Sequence, residues 1–313
     1  MRSDMLVSIV VADSAGPAAT IPRLAAAMPQ LAEAFRYFEV VYALDETRRA
    51  ELDSLGDSLA GLVNLRVVIT GEGLRYYRRR LVAAREAIGD VVALVDLDEV
   101  PIATLIARIG EARDRNEVLA GWCPTRRAGA LSYRLLSLAS RFVIAPRAAR
   151  TIIVPRDWLN AILARPSAVI ELRFQPRVPL TRYRRFDVPR HPAEATDFAS
   201  RYEVLIEIMR SDAPRYLKAY ALAGFLVVLG SIAYVLYAIA IILMLSHVAP
   251  GWFSNAVVLA GSTAFIAGGM SILSIAMVAV IDGVRHSGHP PVVAEVGNTD
   301  YFDRIVGRNV EVS

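Results

Sequence analysis

The chain has 313 residues, with 35 lysines and arginines against 31 acids and a single cysteine, Cys123. One cysteine excludes an internal disulfide or a cysteine-based metal cluster, and the net charge of +4 is modest. The hydrophobic share of 55% and mean hydropathy of +0.40 are raised by two C-terminal stretches, so they do not describe an unusually apolar soluble core.

The N-terminal run Met5–Ala12 is short, lacks a basic flank and meets Asp13 at once, so it reads as a buried strand and not as a signal peptide. Short runs rich in Val and Ile predict strands at Leu6–Val11, Glu39–Ala43, Arg66–Ile69, Val91–Asp96 and Val118–Trp122. Helical patterns fall between them, at Ala18–Phe35, Thr47–Leu59, Leu74–Ile88 and Ile102–Arg113. Such alternation predicts a mainly parallel sheet with helices on both faces. Ligands of open sheets gather at the carboxyl ends of strands, which brings Asp13, Asp45, Asp96 and Asp98 forward.

After Pro155 the pattern changes to short amphipathic segments broken by prolines, among them Pro166, Pro176, Pro179, Pro189, Pro192 and Pro214. Arg177, Arg182, Arg184, Arg185 and Arg190 face a single acid, Asp187; anionic headgroups or a lipid phosphate suit this run better than nucleic acid. Ser200–Met209 and Tyr216–Tyr220 read as helices approaching a bilayer. From Ala219 to Ser246, and again from Trp252 to Ile281, there is no charged residue. Roughly 20 apolar helical residues cross a ~30 Å hydrocarbon core, so both stretches are long enough to span. The short link through Pro250-Gly251 predicts a hairpin, and Arg215, Lys218 and Arg285 at its outer ends place the N-terminal part and the tail in the cytoplasm.

Val95-Asp96-Leu97-Asp98 is the sharpest local signal for chemistry: a strand that ends in Asp-x-Asp sets hard oxygen ligands for Mg²⁺ or Mn²⁺ at the sheet edge. Asp pairs at strand ends also serve as loop caps or surface charges. Arg75, Arg78, Arg79 and Arg80 occupy most faces of one helical turn and read as solvated or phosphate-facing surface. The four histidines show no metal-ligand spacing.

Several motifs in order resemble glycosyltransferase family 2. They are the strand Val7-Ser8-Ile9-Val10-Val11, the turn Leu44-Asp45-Glu46-Thr47, Ala87-Ile88-Gly89-Asp90 leading into Asp96 and Asp98, Ser200-Arg201-Tyr202, Pro250-Gly251-Trp252 and the stretch from Arg285 to Pro291. The branch that looks most similar is that of the polyprenyl-phosphate glycosyltransferases, which includes dolichol-phosphate mannosyltransferase and the bactoprenol glucosyltransferases. The resemblance implies a GT-A-like nucleotide-sugar domain over 1–154, an interfacial amphipathic segment over 155–218, a transmembrane helical hairpin over 219–287 and a cytoplasmic tail over 288–313. It implies an inner- or plasma-membrane enzyme that moves a sugar from a nucleotide-sugar donor to a polyprenyl phosphate acceptor at the cytoplasmic leaflet. Membrane lipid is then a partner, nucleic acid is not, and the family suggests a homo-oligomer. Asp96 and Asp98 would hold Mg²⁺ or Mn²⁺, and Asp45 would sit against the nucleoside. Asp13 would stand in for a family acid and Arg75 would face the donor, while Arg126, Arg127 or Arg150 would bind the acceptor phosphate. The chain departs from the family at Leu44 and Glu46, at Arg78–Arg80 and at the shortened Glu99-Val100-Pro101, all near the donor pocket. Those departures leave an alternative open, a catalytically impaired scaffold or partner protein in a cell-envelope glycan pathway.

Overall fold

Alternating burial along the first strand sets the architecture. The computed structural model describes residues 3–12, 15–122, 137, 141–144, 148–165, 167–179, 181–188, 198–244, 249–287 and 292–298. In β1 (Ser3–Ala12), Val7, Ile9 and Val11 face one apolar cluster while Val10 faces another, so the strand is covered on both sides. The first cluster takes Ile21, Leu24 and Leu31 from α1 (Pro17–Ala34), Leu52 from α2 (Arg49–Asp53), and Leu105 and Ile109 from α5 (Ile102–Arg115). The second takes Val82, Ala83 and Ala84 from α4 (Tyr76–Glu86), Leu159 and Ile162 from α6 (Arg156–Leu163) and Ala168 from α7 (Ala168–Glu171).

Among the described residues one sheet of eight strands runs in the order β7 (Tyr183–Asp187), β5 (Val118–Trp122), β6 (Ala148–Pro155), β4 (Val91–Val95), β1, β2 (Phe35–Asp45), β3 (Leu65–Thr70) and β8 (Val292–Asn298). The centre is parallel: β1 pairs with β2 and with β4, and β2 pairs with β3. Beyond β4 lies β6, antiparallel to both β4 and β5, and β7 runs parallel to β5. The mainly parallel sheet predicted from alternation is therefore present, with the strands where patterning put them.

Differences are local and have causes. The helix expected over Thr47–Leu59 is broken into a 3₁₀ turn at Glu46–Arg48, α2, and α3 (Gly56–Ala60). Asp45 caps the first piece by accepting from the Thr47 amide, and Ser54 ends the second by donating its hydroxyl to the Glu51 carbonyl (2.6 Å), just before Gly56. Three strands come from segments that patterning left outside the sheet, the first being β6, whose apolar centre is the short buried run Ile152-Ile153-Val154. The other two lie at the ends of the sheet. Tyr183–Asp187 carries three charged side chains, and Val292–Asn298, forming β8, lies beyond the apolar helices and pairs antiparallel with β3. Both are edge strands, which bury one face or less and so lack the long apolar signature.

The remaining unit spans residues 206–289. It contains most of α8 (Phe198–Met244) and all of α9 (Trp252–Ser287), and the segments Ser200–Met209 and Tyr216–Tyr220 are stretches of the single helix α8. Both helices are long and apolar enough to cross a membrane, over Ala213–Met244 and Trp252–Val278. They run antiparallel. Gly224 lies so close to Ser271 and the Ala267 carbonyl that a Cβ there would clash, and Gly268 faces Val228. The polar groups in this contact are satisfied within α9, with Ser271 and Ser274 donating to the carbonyls of Ala267 and Met270 (both 2.8 Å). Phe265, Leu243 and Met244 are about four-fifths exposed. At the link Gly251 takes φ +81°, a left-handed conformation suited to glycine.

Candidate functional site

Because β1, β2, β3 and β4 are parallel, their carboxyl ends share one edge, and the loops leaving them gather the charged residues. Asp45 is the last residue of β2 and only 7% exposed. Its Oδ1 accepts from the Thr47 amide (3.1 Å) and hydroxyl (2.8 Å), and its Oδ2 accepts from the Arg79 guanidinium (3.1 Å). Burial pushes its pKa up, but the Thr47 hydroxyl and amide and the Arg79 charge outweigh this, so it lies below the ordinary carboxylate value.

Asp96 and Asp98 follow β4 and play unlike parts. Asp96 is buried; its Oδ1 accepts from the Asp98 amide (3.1 Å), and its Oδ2 accepts from Arg150 (3.0 Å). Asp98 points outward and pairs with Arg23 at 2.7 Å, both side chains being about half exposed. Glu99, which sequence reasoning saw only as part of a shortened segment, is 1% exposed. It accepts from the amides of Arg150 and Thr151 (2.8 Å each) and from the Thr151 hydroxyl (2.9 Å). Burial raises its pKa against those hydrogen bonds. Glu99 thus ties the loop after β4 to the start of β6 and holds Arg150 where its side chain reaches Asp96.

Helix α4 completes the edge. Arg75 is its N-cap residue, with no side-chain cap, and no acid lies in the first turn. Tyr76 and Tyr77 open the helix with their rings at right angles, centroids 5.0 Å apart. Three guanidinium groups lie over these rings. Arg150 is 5.0 Å from the Tyr76 centroid, Arg80 is 5.8 Å from Tyr76 and 6.0 Å from Tyr77, and Arg173 is 4.0 Å from Tyr77. Burial pushes the Tyr76 hydroxyl up to about 12, so it remains a neutral donor near neutral pH.

Arg80 is where the structure departs most from the sequence reading. Far from solvated, it is 1% exposed, among the largest fully buried side chains. A signal was available: positions 80, 83, 84 and 87 follow the helical i, i+3, i+4, i+7 spacing, and Ala83, Ala84 and Ala87 are all buried with it. An arginine on the apolar face of a helix is the anomaly that composition alone passes over.

Of the residues singled out in the sequence, the fold brings Asp45, Asp96, Asp98 and Arg150 to one edge and puts Arg75 at the helix start beside them. Asp13, Arg126 and Arg127 lie outside the described residues. The side chains of Ser200-Arg201-Tyr202, in the first turn of α8, are likewise not described. Among the described residues no group of three or more acids, histidines or cysteines is arranged to hold a metal ion. The acids that the sequence singles out for a metal are the two of the Asp-x-Asp pair. Their hard oxygens suit Mg²⁺ or Mn²⁺, and Mg²⁺ commonly takes only one or two carboxylates and completes its shell with phosphate and water.

The sequence matches no protein-family model, and no curated protein matches it. Solved structures do match at low similarity. A glucosyl-3-phosphoglycerate synthase from M. tuberculosis is 16% identical over 66% of this chain and 81% of its own, with a TM-score of 0.43. Residues 1–349 of TarS from S. aureus are 15% identical over 69% and 79%, with a TM-score of 0.36. The mannosyltransferase PcManGT from Pyrobaculum calidifontis, in complex with GDP-Man and Mn²⁺, is 13% identical over 99% and 81%, with a TM-score of 0.33. Likeness at this level leaves function to the residues of the site itself.

Proposed function

We propose that the protein is a membrane-tethered, GT-A-like glycosyltransferase of family 2 that transfers a sugar from a nucleotide-sugar to a polyprenyl phosphate. The observation that carries this reading is the gathering of Asp45, Asp96, Asp98, Arg79, Arg80 and Arg150 at the carboxyl edge of parallel strands, beside the uncapped start of α4. Open sheets bind ligands at this edge, and a diphosphate leaving group calls for this density of positive charge. The motif order of the family supports it.

In this reading Asp45 contacts the nucleoside, and Arg150, with Arg126 or Arg127, holds the acceptor phosphate in its guanidinium fork. A phosphate oxygen of the acceptor attacks the anomeric carbon. The bond from that carbon to the donor diphosphate breaks, and the nucleoside diphosphate leaves. The acceptor is already anionic, so the side chains supply position and charge and little general-base help. Asp98, the more exposed acid, would hold Mg²⁺ or Mn²⁺ with Asp96 in place of their arginine partners. The ion would supply charge neutralisation at the diphosphate.

The length and apolar character of α8 and α9 support membrane attachment. The chain leaves the sheet-bearing unit at α8 and rejoins its sheet as β8, so two crossings with both outer ends on one side satisfy the connection. The basic residues flanking the spans support a cytoplasmic position for that side. Cysteines introduced at Ser54 and Ser254, in a Cys123→Ser background, should label from opposite sides of sealed vesicles; labelling from the same side removes the hairpin.

The test of chemistry uses the full chain in detergent with Mn²⁺, a panel of nucleotide-sugars and polyprenyl phosphate. Transfer is expected, and Asp98→Ala should lower it by about 100-fold or more, as should chelation of the metal. Transfer that survives both removes the metal role. The ion pairs that already occupy Asp96 and Asp98 favour a second reading, a scaffold without turnover. Absence of transfer with every donor, together with absence of nucleotide binding, establishes it.

A further inference from the structure

Arg80 poses a problem that the proposed chemistry does not by itself answer. Its residue is 1% exposed, yet Nε, Nη1 and Nη2 find no hydrogen-bond acceptor among the described residues. Burying a charge without an opposite charge or acceptors is strongly unfavourable. The rings of Tyr76 and Tyr77 offer it only their faces, at 5.8 and 6.0 Å. Its neighbours are better provided for: Arg79 is paired with Asp45, and Arg150 with Asp96. Arg80 therefore carries a charge for which the described protein provides no counter-charge.

Its direction is informative. Arg80 is the fifth residue of α4, and its guanidinium folds back over the rings of the first two. It therefore lies toward the end of the helix where the helix dipole is positive. That end has no side-chain cap and no acid in its first turn. The unsatisfied Arg80 guanidinium and the Tyr76 hydroxyl are hydrogen-bond donors at the positive end of the helix, and this constellation calls for an acceptor-only ligand with more than one negative charge.

We propose that Arg80 and the first turn of α4 form the receptor for a phosphate or diphosphate group, with Arg80 as its buried counter-charge. The inference deepens the reading of this edge as a transferase site and rests on it for the source of the anion, either the donor diphosphate or the acceptor's lipid phosphate. It also explains the triple arginine that departs from the family pattern. Arg79 is taken by Asp45, whereas Arg80 is held in reserve for the ligand.

The test is thermal unfolding of the full chain in detergent with a chelator present, comparing wild type with Arg80→Met. Methionine keeps an apolar stem of similar length and removes the charge. Without added anion, the variant should melt at or above the wild-type temperature, because an uncompensated charge has gone. Pyrophosphate at about 100 times its dissociation constant should raise the wild-type melting temperature by roughly 5 °C, and Arg80→Met by much less. An equal rise in both proteins, or a variant that melts well below wild type without anion, overturns the proposal.

Hydrogen exchange on the wild type gives a second readout that does not depend on the variant. Pyrophosphate should slow exchange of the amides of Tyr76–Arg80, and unchanged exchange overturns the site. A wild-type shift with UDP or GDP assigns the donor phosphates, one with farnesyl phosphate assigns the acceptor phosphate, and a shift with neither overturns the site. The two readings separate cleanly. A pyrophosphate response that depends on Arg80, without sugar transfer from any donor, keeps the anion site and removes the transferase. Sugar transfer with an unchanged KM in Arg80→Met keeps the transferase and removes the anion site.

Discussion

The two edges of the parallel sheet both carry buried charged groups and handle them in opposite ways. At the amino edge, Glu39 on β2 is fully buried and every demand is met. It accepts from the Ser8 hydroxyl, from the Ile88 amide (2.7 Å) and from Arg66 (2.8 Å). The Ser8 hydroxyl in turn accepts from the Gly89 amide (2.7 Å). Asp90 exchanges bonds with the backbone of Leu6, and the Arg156 guanidinium donates to the carbonyls of Gly89 and Ala87. At the carboxyl edge Asp45 and Asp96 are paired with arginines while Arg80 is left over. A closed network holds strands in register; an open one waits for a ligand. The difference separates residues that build the sheet from residues that use it, although both sets look equally polar in sequence.

The comparison can be broken most forcefully at Gly89. A Cβ there would sit 2.5 Å from the Ser8 backbone nitrogen and 2.7 Å from its hydroxyl, and the backbone has nowhere to retreat. Gly89→Ala should cost about 4 kcal/mol or more, read as loss of the folded protein or a collapse of its denaturant midpoint. Next in size is Glu39→Ala, which strands the buried charge of Arg66 and should cost about 3–5 kcal/mol in the same measurement. At the carboxyl edge the expected pattern reverses. Asp98→Ala removes only a half-exposed ion pair with Arg23, so its stability should change by about 0.5 kcal/mol or less even as transfer fails.

The smallest effect is a pH dependence. The pKa of Asp45 lies below its ordinary value of 3.8, so its stabilisation is complete above that value and is lost as pH falls through the lowered one. Melting temperatures taken between about pH 5 and pH 2 should therefore fall less steeply for Asp45→Asn than for wild type. Equal slopes would show that Thr47 and Arg79 do not hold the carboxylate as described.

How much of this was visible in the sequence follows from the same contrast. Strands β1 to β5 announce themselves because burial on both faces demands unbroken Val and Ile, and Asp45 and Asp96 announce themselves by ending such runs. The edge strands β7 and β8 were silent, since a strand with one neighbour needs no apolar run. The interior strand β6 was passed over as well, because its buried run Ile152-Ile153-Val154 is short and stands between Arg150 and Pro155. Gly89 and Asp90 were noticed as a turn before the Asp-x-Asp pair, but their work is at the opposite edge, locking β4 to β1. Glu99 and Arg80 were missed because charge is read as exposure. Only the partners of Glu99, on a strand about fifty residues later, and the alanines around Arg80 reveal that both are interior.

The strand that covers the open side of β3 has one more implication, for biosynthesis. β8 leaves the ribosome after both apolar helices, so the sheet has a bare margin throughout synthesis of everything before it. Completion of the sheet-bearing unit is thereby made to wait for the apolar helices, and a chain stopped short of residue 292 would keep an adhesive flank.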